Sequence, residues 1–333
     1  MSLTVKWDSG VIVEYKDKRL VFDPKRKKSS SSKVFITHAH FDHCRGFKYK
    51  ASQNYSTRAT KEIVESYGKE VNQWNPLPVR GRLRWDDLEV VSYNAGHVLG
   101  STVFEVITPE GNVVYTGDLQ FNDSFTLQGA EPVSCDVLIV DCTFGSRGFR
   151  FPEREVVAHD MIRWAQGVIR RGKVPTFQAD SLGNAQEVIK AFNLYSDLTV
   201  KVHGRVTQIS DIYRTNGHTL DYVNVESDEF SESPSSRGCI LVTAKNVKLK
   251  NHPELEPALV SGFALWARRT AFPLSDHADF GQLMDYIEAC NPRTVLTCFG
   301  GKRNSTFARE VESQLRIKAR PLRVIPTQFF LGR

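Results

Sequence analysis

The sequence predicts an α/β protein in two parts, with the second part inserted into the first. Three observations carry this. The first third alternates short strands with polar turns, helices alternate with strands from about Glu153, and from about Thr270 the chain returns to its earlier pattern. A chain of 333 residues is long for one core, which suits two domains or one domain with a large insertion.

Residues 3–7, 11–15 and 19–22 read as an antiparallel meander that ends at Asp23-Pro24, where proline has no N–H to pair. The run 25–33, Lys-Arg-Lys-Lys followed by four serines, reads as a solvated loop or as a phosphate-contacting arm. Val34-Phe35-Ile36 is expected as a buried strand. Residues 57–67 predict a helix capped by Thr57, with Ala59, Ile63, Val64 and Tyr67 on one face. Further strands are expected at 88–93, 102–107 and 113–115, with Pro109-Glu110-Gly111-Asn112 as a hairpin turn. A short buried strand at 137–140 ends on Asp141. Helices at 153–171, 184–193 and 208–215 then alternate with strands at 174–177, 200–203 and 240–243, which implies a parallel, doubly wound sheet. The acidic, serine-rich stretch 226–236 reads as an exposed loop. The last part predicts a helix at 280–289, a strand at 295–298, a helix at 305–317 and a final strand.

Apolar residues make up 41% and charged residues 25%, as in a soluble globular enzyme. No apolar run is long enough to span a bilayer, and the opening reads as a strand rather than a signal peptide, so no membrane association is expected. Cys44, Cys135, Cys142, Cys239, Cys290 and Cys298 have no paired spacing, and they are expected to be reduced, buried thiols of a cytoplasmic protein. The net charge of +6 gives mild support for a polyanionic partner.

The chemistry centres on His38-Ala39-His40-Phe41-Asp42-His43. Three of the nine histidines fall within six positions here, directly after a buried strand. His38 and His40 point to one side of an extended segment, while Asp42 and His43 begin the next turn and can face a second point. This spacing suits two metals close together, zinc by preference, or manganese in a more open site. His97 lies between glycines after a strand, and Asp118 follows Gly117 at a strand end, where an unpaired carboxylate is costly. Asp118 is therefore the candidate bridge. Asp23, Asp141 and His277 also end apolar runs, where open α/β folds place their sites. Two ions sharing a carboxylate can generate hydroxide and clamp phosphodiester oxygens. The sequence has no nucleophile elbow, phosphate loop or dinucleotide fingerprint.

With these residues in place, the chain resembles the metallo-β-lactamase-fold nucleases of the β-CASP group over nearly its whole length. The box His38–His43 matches the group's H-x-H-x-D-H motif. Asp23 matches the group's earlier strand-end aspartate, His97 its next metal histidine and Asp118 its bridging aspartate. Asp141-Cys142-Thr143-Phe144 and Ser275-Asp276-His277-Ala278-Asp279 match two β-CASP motifs, and Gly183-Asn184-Ala185-Gln186-Glu187 resembles the helix start of the insertion. Softer matches, Val202-His203-Gly204-Arg205 among them, resemble prokaryotic ligase-associated DNA exonucleases.

The resemblance implies a metallo-β-lactamase αββα sandwich at 1–150 and 269–333, with an inserted doubly wound β-CASP domain at 151–268. It implies a metal-dependent, 5′→3′ exonuclease acting on DNA in repair, with a DNA ligase or repair protein as partner. RNA processing, a non-catalytic nucleic-acid-binding role and small-molecule hydrolysis are the alternatives. His38, His40, His97 and Asp118 would hold zinc firmly. Asp42, His43 and Asp118 would form a weaker second site, with Mn²⁺ or Mg²⁺ as other candidates. Phe299 stands where RNA-processing members place a further metal histidine, and this departure leans toward DNA. Cys298 beside it reads as a buried thiol rather than a ligand. His277 would contact a phosphate oxygen or protonate the leaving oxygen, oriented by Asp141, and Asp23 would orient a metal ligand. Arg147, Arg150, Lys245, Arg268 and Arg269 are candidate phosphate contacts.

Overall fold

The computed structural model describes residues 3–26, 32–50, 53–226, 238–323 and 327–329. Most of the basic run (27–31) and nearly all of the acidic loop (227–236) lie outside the described residues. The chain divides into two compact units. The first holds residues 1–123, 128–149 and 277–333, and the second holds 124–127 and 150–276.

The first unit contains two seven-stranded sheets. The meander forms as expected: β1 (Leu3–Trp7), β2 (Val11–Tyr15) and β3 (Lys18–Phe22) pair antiparallel. Pairing then turns parallel through β4 (Lys33–Phe35), β5 (Gln53–Ser56) and β6 (Trp74–Pro76). Ile36, expected inside β4, lies one residue beyond it, though its N–H still bonds Tyr55 O at 2.9 Å. The second sheet joins β7 (Arg82–Trp85), β8 (Leu88–Asn94), β9 (Thr102–Thr108) and β10 (Gly111–Tyr115) antiparallel. It continues parallel through β11 (Val137–Asp141). The expected four-residue turn at 109–112 shrinks to Pro109-Glu110, because Gly111 already pairs with Thr108.

Phe22 and Phe35 of one sheet pack with Phe104 and Tyr115 of the other, with ring centroids 5.4–5.8 Å apart, and Phe35 stacks on Phe22 and Tyr55 within its own sheet. This aromatic layer fills the sandwich core. The helix α1 (Arg58–Ser66) is capped by Thr57, whose side chain accepts from Thr60 N, and buries Ala59, Ile63 and Val64.

The second unit carries six strands that are all parallel. Helices α2 (Arg154–Arg170), α3 (Asn184–Tyr195) and α4 (Arg205–Thr215) alternate with β12 (Val174–Ala179), β13 (Thr199–Val202), β14 (Val223–Asn224) and β15 (Cys239–Ala244). Helix α4 starts three residues before the expected 208, because Gly204 at φ +61° turns the chain straight into it. Two further strands, β16 (Leu255–Val260) and β17 (Ala271–Phe272), extend the sheet. They keep the chain in this unit to Asp276, beyond the expected boundary at 268. Glu187 of the expected helix start is buried, and it accepts from Phe125 N, Thr126 N and Thr126 Oγ1 while pairing Arg154 at 2.9 Å.

Back in the first unit, α5 (Phe280–Cys290), β18 (Thr294–Cys298), α6 (Arg303–Leu315) and β19 (Lys318–Pro321) complete the second sheet and cover its outer face. The last strand, β20 (Thr327–Phe329), pairs with β1 in the first sheet. No helix among the described residues is long and apolar enough to cross a membrane.

Candidate metal and catalytic site

The site is built at the carboxyl ends of parallel and near-parallel strands of the first unit. Asp23 follows β3, the His38–His43 turn follows β4, His97 follows β8, and Asp118 follows β10. Asp141 is the last residue of β11, and His277 precedes α5.

One donor each from His38, His40, His97 and Asp118 lies within 4.8 Å of all the others. His97 Nε2 is 3.0 Å from His40 Nδ1, His38 Nε2 is 3.5 Å from Asp118 Oδ2, and His97 Nε2 is 3.8 Å from that same oxygen. Four ligands around a tetrahedral zinc lie about 3.3 Å apart along each edge, so the spacing fits. His38 Nε2 is buried with no hydrogen-bond partner, an expensive state that a bound cation would relieve.

Proton counting explains why this nitrogen is bare. The Thr37 hydroxyl donates to Asp23 Oδ2 at 2.7 Å, because a carboxylate can only accept. Thr37 Oγ1 therefore accepts from His38 Nδ1–H at 2.9 Å, which leaves the lone pair on Nε2. Asp23 is fully buried and also receives Thr37 N, the Tyr115 hydroxyl and His43 Nδ1, each at 2.8 Å. Asp23 thus bonds both Thr37 and His43. Thr37, the relay between Asp23 and His38, is not among the residues that the sequence marks for the site; a β-branched hydroxyl before the box is its only signal.

His43 Nε2 faces Asp42 Oδ2 at 3.4 Å and Asp118 Oδ1 at 3.5 Å, the second and sparser position. Asp42 is 56% exposed and stands apart from the four-donor group. Burial opposes a charge on His43, but Asp118 and Asp23 outweigh it and hold its pKa well above the ordinary value. Burial, with the neighbouring histidines adding to it, pushes His38 well below. Burial also lifts Asp118 to about 6. Desolvation would raise Asp42, yet its hydrogen bond with His43 holds it low.

Phe299 occupies the flank of this second position. Its ring stacks on His43 at 4.9 Å and meets Trp7 edge-on at 5.3 Å, from a left-handed backbone at φ +60°. Cys298 Sγ donates to Val140 O at 3.3 Å within the core. All six cysteines are buried and free.

His277 Nδ1 lies 3.3 Å from Asp141 Oδ2, and its Nε2 lies 3.8 Å from Asp118 Oδ2. Asp141 Oδ1 is held by the N–H and hydroxyl of Thr143 at 3.0 and 2.8 Å. The imidazole thus lies beside the Asp141 carboxylate on one side and faces the four-donor group with Nε2 on the other. Of the five candidate phosphate contacts, Arg147 belongs to the first unit and forms a two-pronged pair with Glu310 at 2.8 and 2.7 Å. Arg150, Lys245, Arg268 and Arg269 belong to the second unit, where Lys245 pairs with Asp180 at 2.6 Å. Arg268 and Arg269 are exposed.

The family described as "Beta-lactamase superfamily domain" matches residues 9–176. The chain is 27% identical over 307 residues to a "Probable DNA ligase" of Opitutus terrae, across 85% of this chain and 27% of that protein. It is 30% identical over 219 residues to the "Transcription termination factor FttA" of Methanocaldococcus jannaschii, across 55% and 34%. An "RNase J-like protein" of the same organism is 25% identical over 227 residues, across 60% and 52%. The chain therefore spans about half or less of the length of these relatives. A crystal structure of a protein of unknown function from Enterococcus faecalis V583 shares the fold, with a TM-score of 0.71 at 15% identity, covering 99% of this chain and all of that one.

Proposed function

The chain belongs to the beta-lactamase superfamily, and on that footing we propose that it is a metal-dependent nuclease of the β-CASP type hydrolysing phosphodiester bonds. The observation that carries the reading is the His38, His40, His97 and Asp118 group, with its bare, buried His38 Nε2. A divalent ion held there would supply Lewis acidity and a nucleophilic water at neutral pH. Zinc suits this nitrogen-rich set, and manganese or magnesium suits the oxygen-richer position beside His43.

The chain's own residues do the rest. Thr37 and Asp23 set the His38 tautomer, and Asp23 holds His43 so that its Nε2 faces inward. His277, oriented by Asp141, presents Nε2 to bond a phosphate oxygen or to protonate the leaving oxygen. Asp118, lifted by burial, spans both positions through its two oxygens.

DNA is our preferred substrate, cut 5′→3′ in cytoplasmic repair beside a DNA ligase or another repair protein. Two features support this: the match to the "Probable DNA ligase", which runs along most of the chain, and Phe299 in place of a metal histidine. RNA processing is the second reading, favoured by the RNase J-like relative. Arg150, Arg268 and Arg269 remain our candidates for phosphate contacts, whereas Arg147 is engaged by Glu310 and Lys245 by Asp180. Incubating the protein with matched 5′-labelled single-stranded DNA and RNA tests both readings. We expect shortening of DNA from its 5′ end, abolished by Asp118→Ala. A fully active Asp118→Ala protein would sink the metal account, and cleavage of RNA alone would reverse the substrate assignment.

A further inference from the structure

Beside the His38–His43 turn, the first unit holds a cavity of about 500 Å³ that no part of the proposed mechanism uses. Four cations line it (Lys25, Arg45, Lys48 and Lys69) together with Phe41 and Tyr49, against a single carboxylate, Glu70. Cations elsewhere in this chain commonly find acids, as in Lys6–Glu14, Lys61–Glu65 and Arg147–Glu310. Among the described residues, none of the four pocket cations forms an ion pair. Four cations around one carboxylate leave the concavity with an excess of positive charge that attracts an anion.

The pocket adjoins the metal site through two residues. Phe41 sits in the box between His40 and Asp42; the residue is 48% exposed, and its ring meets Tyr67 at 4.8 Å. Lys25 Nζ lies over the Phe299 ring at 5.3 Å, and that ring stacks on His43 at 4.9 Å. Arg45 is held in place by its Nε–H bond to Phe41 O at 3.3 Å. Cations that track phosphates, next to an exposed aromatic face, are what a single nucleic-acid strand requires.

We infer that this pocket binds the strand next to the cleaved bond, the cations taking a neighbouring phosphate and Phe41 stacking an unpaired base. The inference rests on the nuclease reading for the direction of the strand, but not for the binding itself. An acidic protein partner would use the charges without needing the aromatic at the edge of the metal turn.

The test is fluorescence anisotropy of metal-loaded protein with 5′-labelled oligothymidylate and oligouridylate, both phosphorothioate-linked to resist cleavage. Arg45→Glu combined with Lys48→Glu should weaken binding at least about tenfold and lower the salt dependence by about two phosphate contacts. The conservative pair Arg45→Lys with Lys48→Arg should keep it, and Phe41→Ala should weaken binding without changing the salt slope. Retained metal content and Tm mark the turn as intact. Unchanged affinity in the charge-reversed protein overturns the inference, as does loss of binding in the conservative pair or no binding by the wild type. If the wild type binds these polymers but cleaves neither unmodified DNA nor unmodified RNA, the nuclease reading falls while a weakened charge-reversed variant still upholds the pocket.

Discussion

The Thr37 hydroxyl has one proton, and geometry sends it to Asp23. Everything at His38 follows from that, because the oxygen then has only a lone pair to offer Nδ1–H. Thr37→Val keeps the shape and removes the relay. We expect metal affinity to fall about 10–100-fold, the usual cost of losing such a support. Chelator competition reads this out, and Thr37→Ser should restore it; full affinity in the valine variant would dismiss the relay. Asp118 adds a pH dependence. Burial raises its pKa to about 6, so a proton competes with metal for the carboxylate as pH falls through that value. Metal occupancy measured from pH 7.5 down to 5 should decline, and a flat profile would contradict the lifted pKa.

At the scale of elements, the turns after the strands decide which donors meet. Gly117 links β10 to Asp118 at φ +57°, and a Cβ there would sit 2.7 Å from the Thr37 side chain. Gly117→Ala should cost about 2 kcal/mol or more in urea unfolding, from left-handed strain and overpacking together. It should also weaken metal binding, since Thr37 must yield. The turn after β18 places Phe299, not a donor, against His43. Histidine tolerates a left-handed backbone better than phenylalanine does. Phe299→His is therefore expected to raise the bound metal from about one ion to about two per chain in elemental analysis; an unchanged count would mean that the flank of His43 is not the second position.

For the whole molecule, burial of every cysteine sets its alkaline limit. Burial pushes the Cys44 and Cys290 thiols up to about 11, and it raises Cys135 and Cys142 further. The unfolded chain releases these protons near pH 9 while the folded chain keeps them, so their stabilising contribution is present below pH 9 and lost as pH rises toward 11. The urea midpoint should drop between pH 8 and 10.5, and no thiol should react quickly with a disulfide reagent at pH 8 until the protein unfolds.

The sequence alone determined much of the strand–helix order and the donors at strand ends, because hydrophobic periodicity and local turn chemistry act over a few residues. His38, His40 and the later His97 and Asp118 were legible in this way. Strands β5, β6, β7 and β16 were not, since stretches such as Gln53-Asn54 and Glu256-Pro257 carry little intrinsic preference and are held by pairing with neighbours. Only the tertiary structure brought Asp23 onto Thr37 and His43, stacked Phe299 on His43, tied Arg147 to Glu310, and gathered Lys25, Arg45 and Lys69 around one cavity. These are contacts between segments distant in the chain, fixed by how two sheets pack, and no local pattern encodes them.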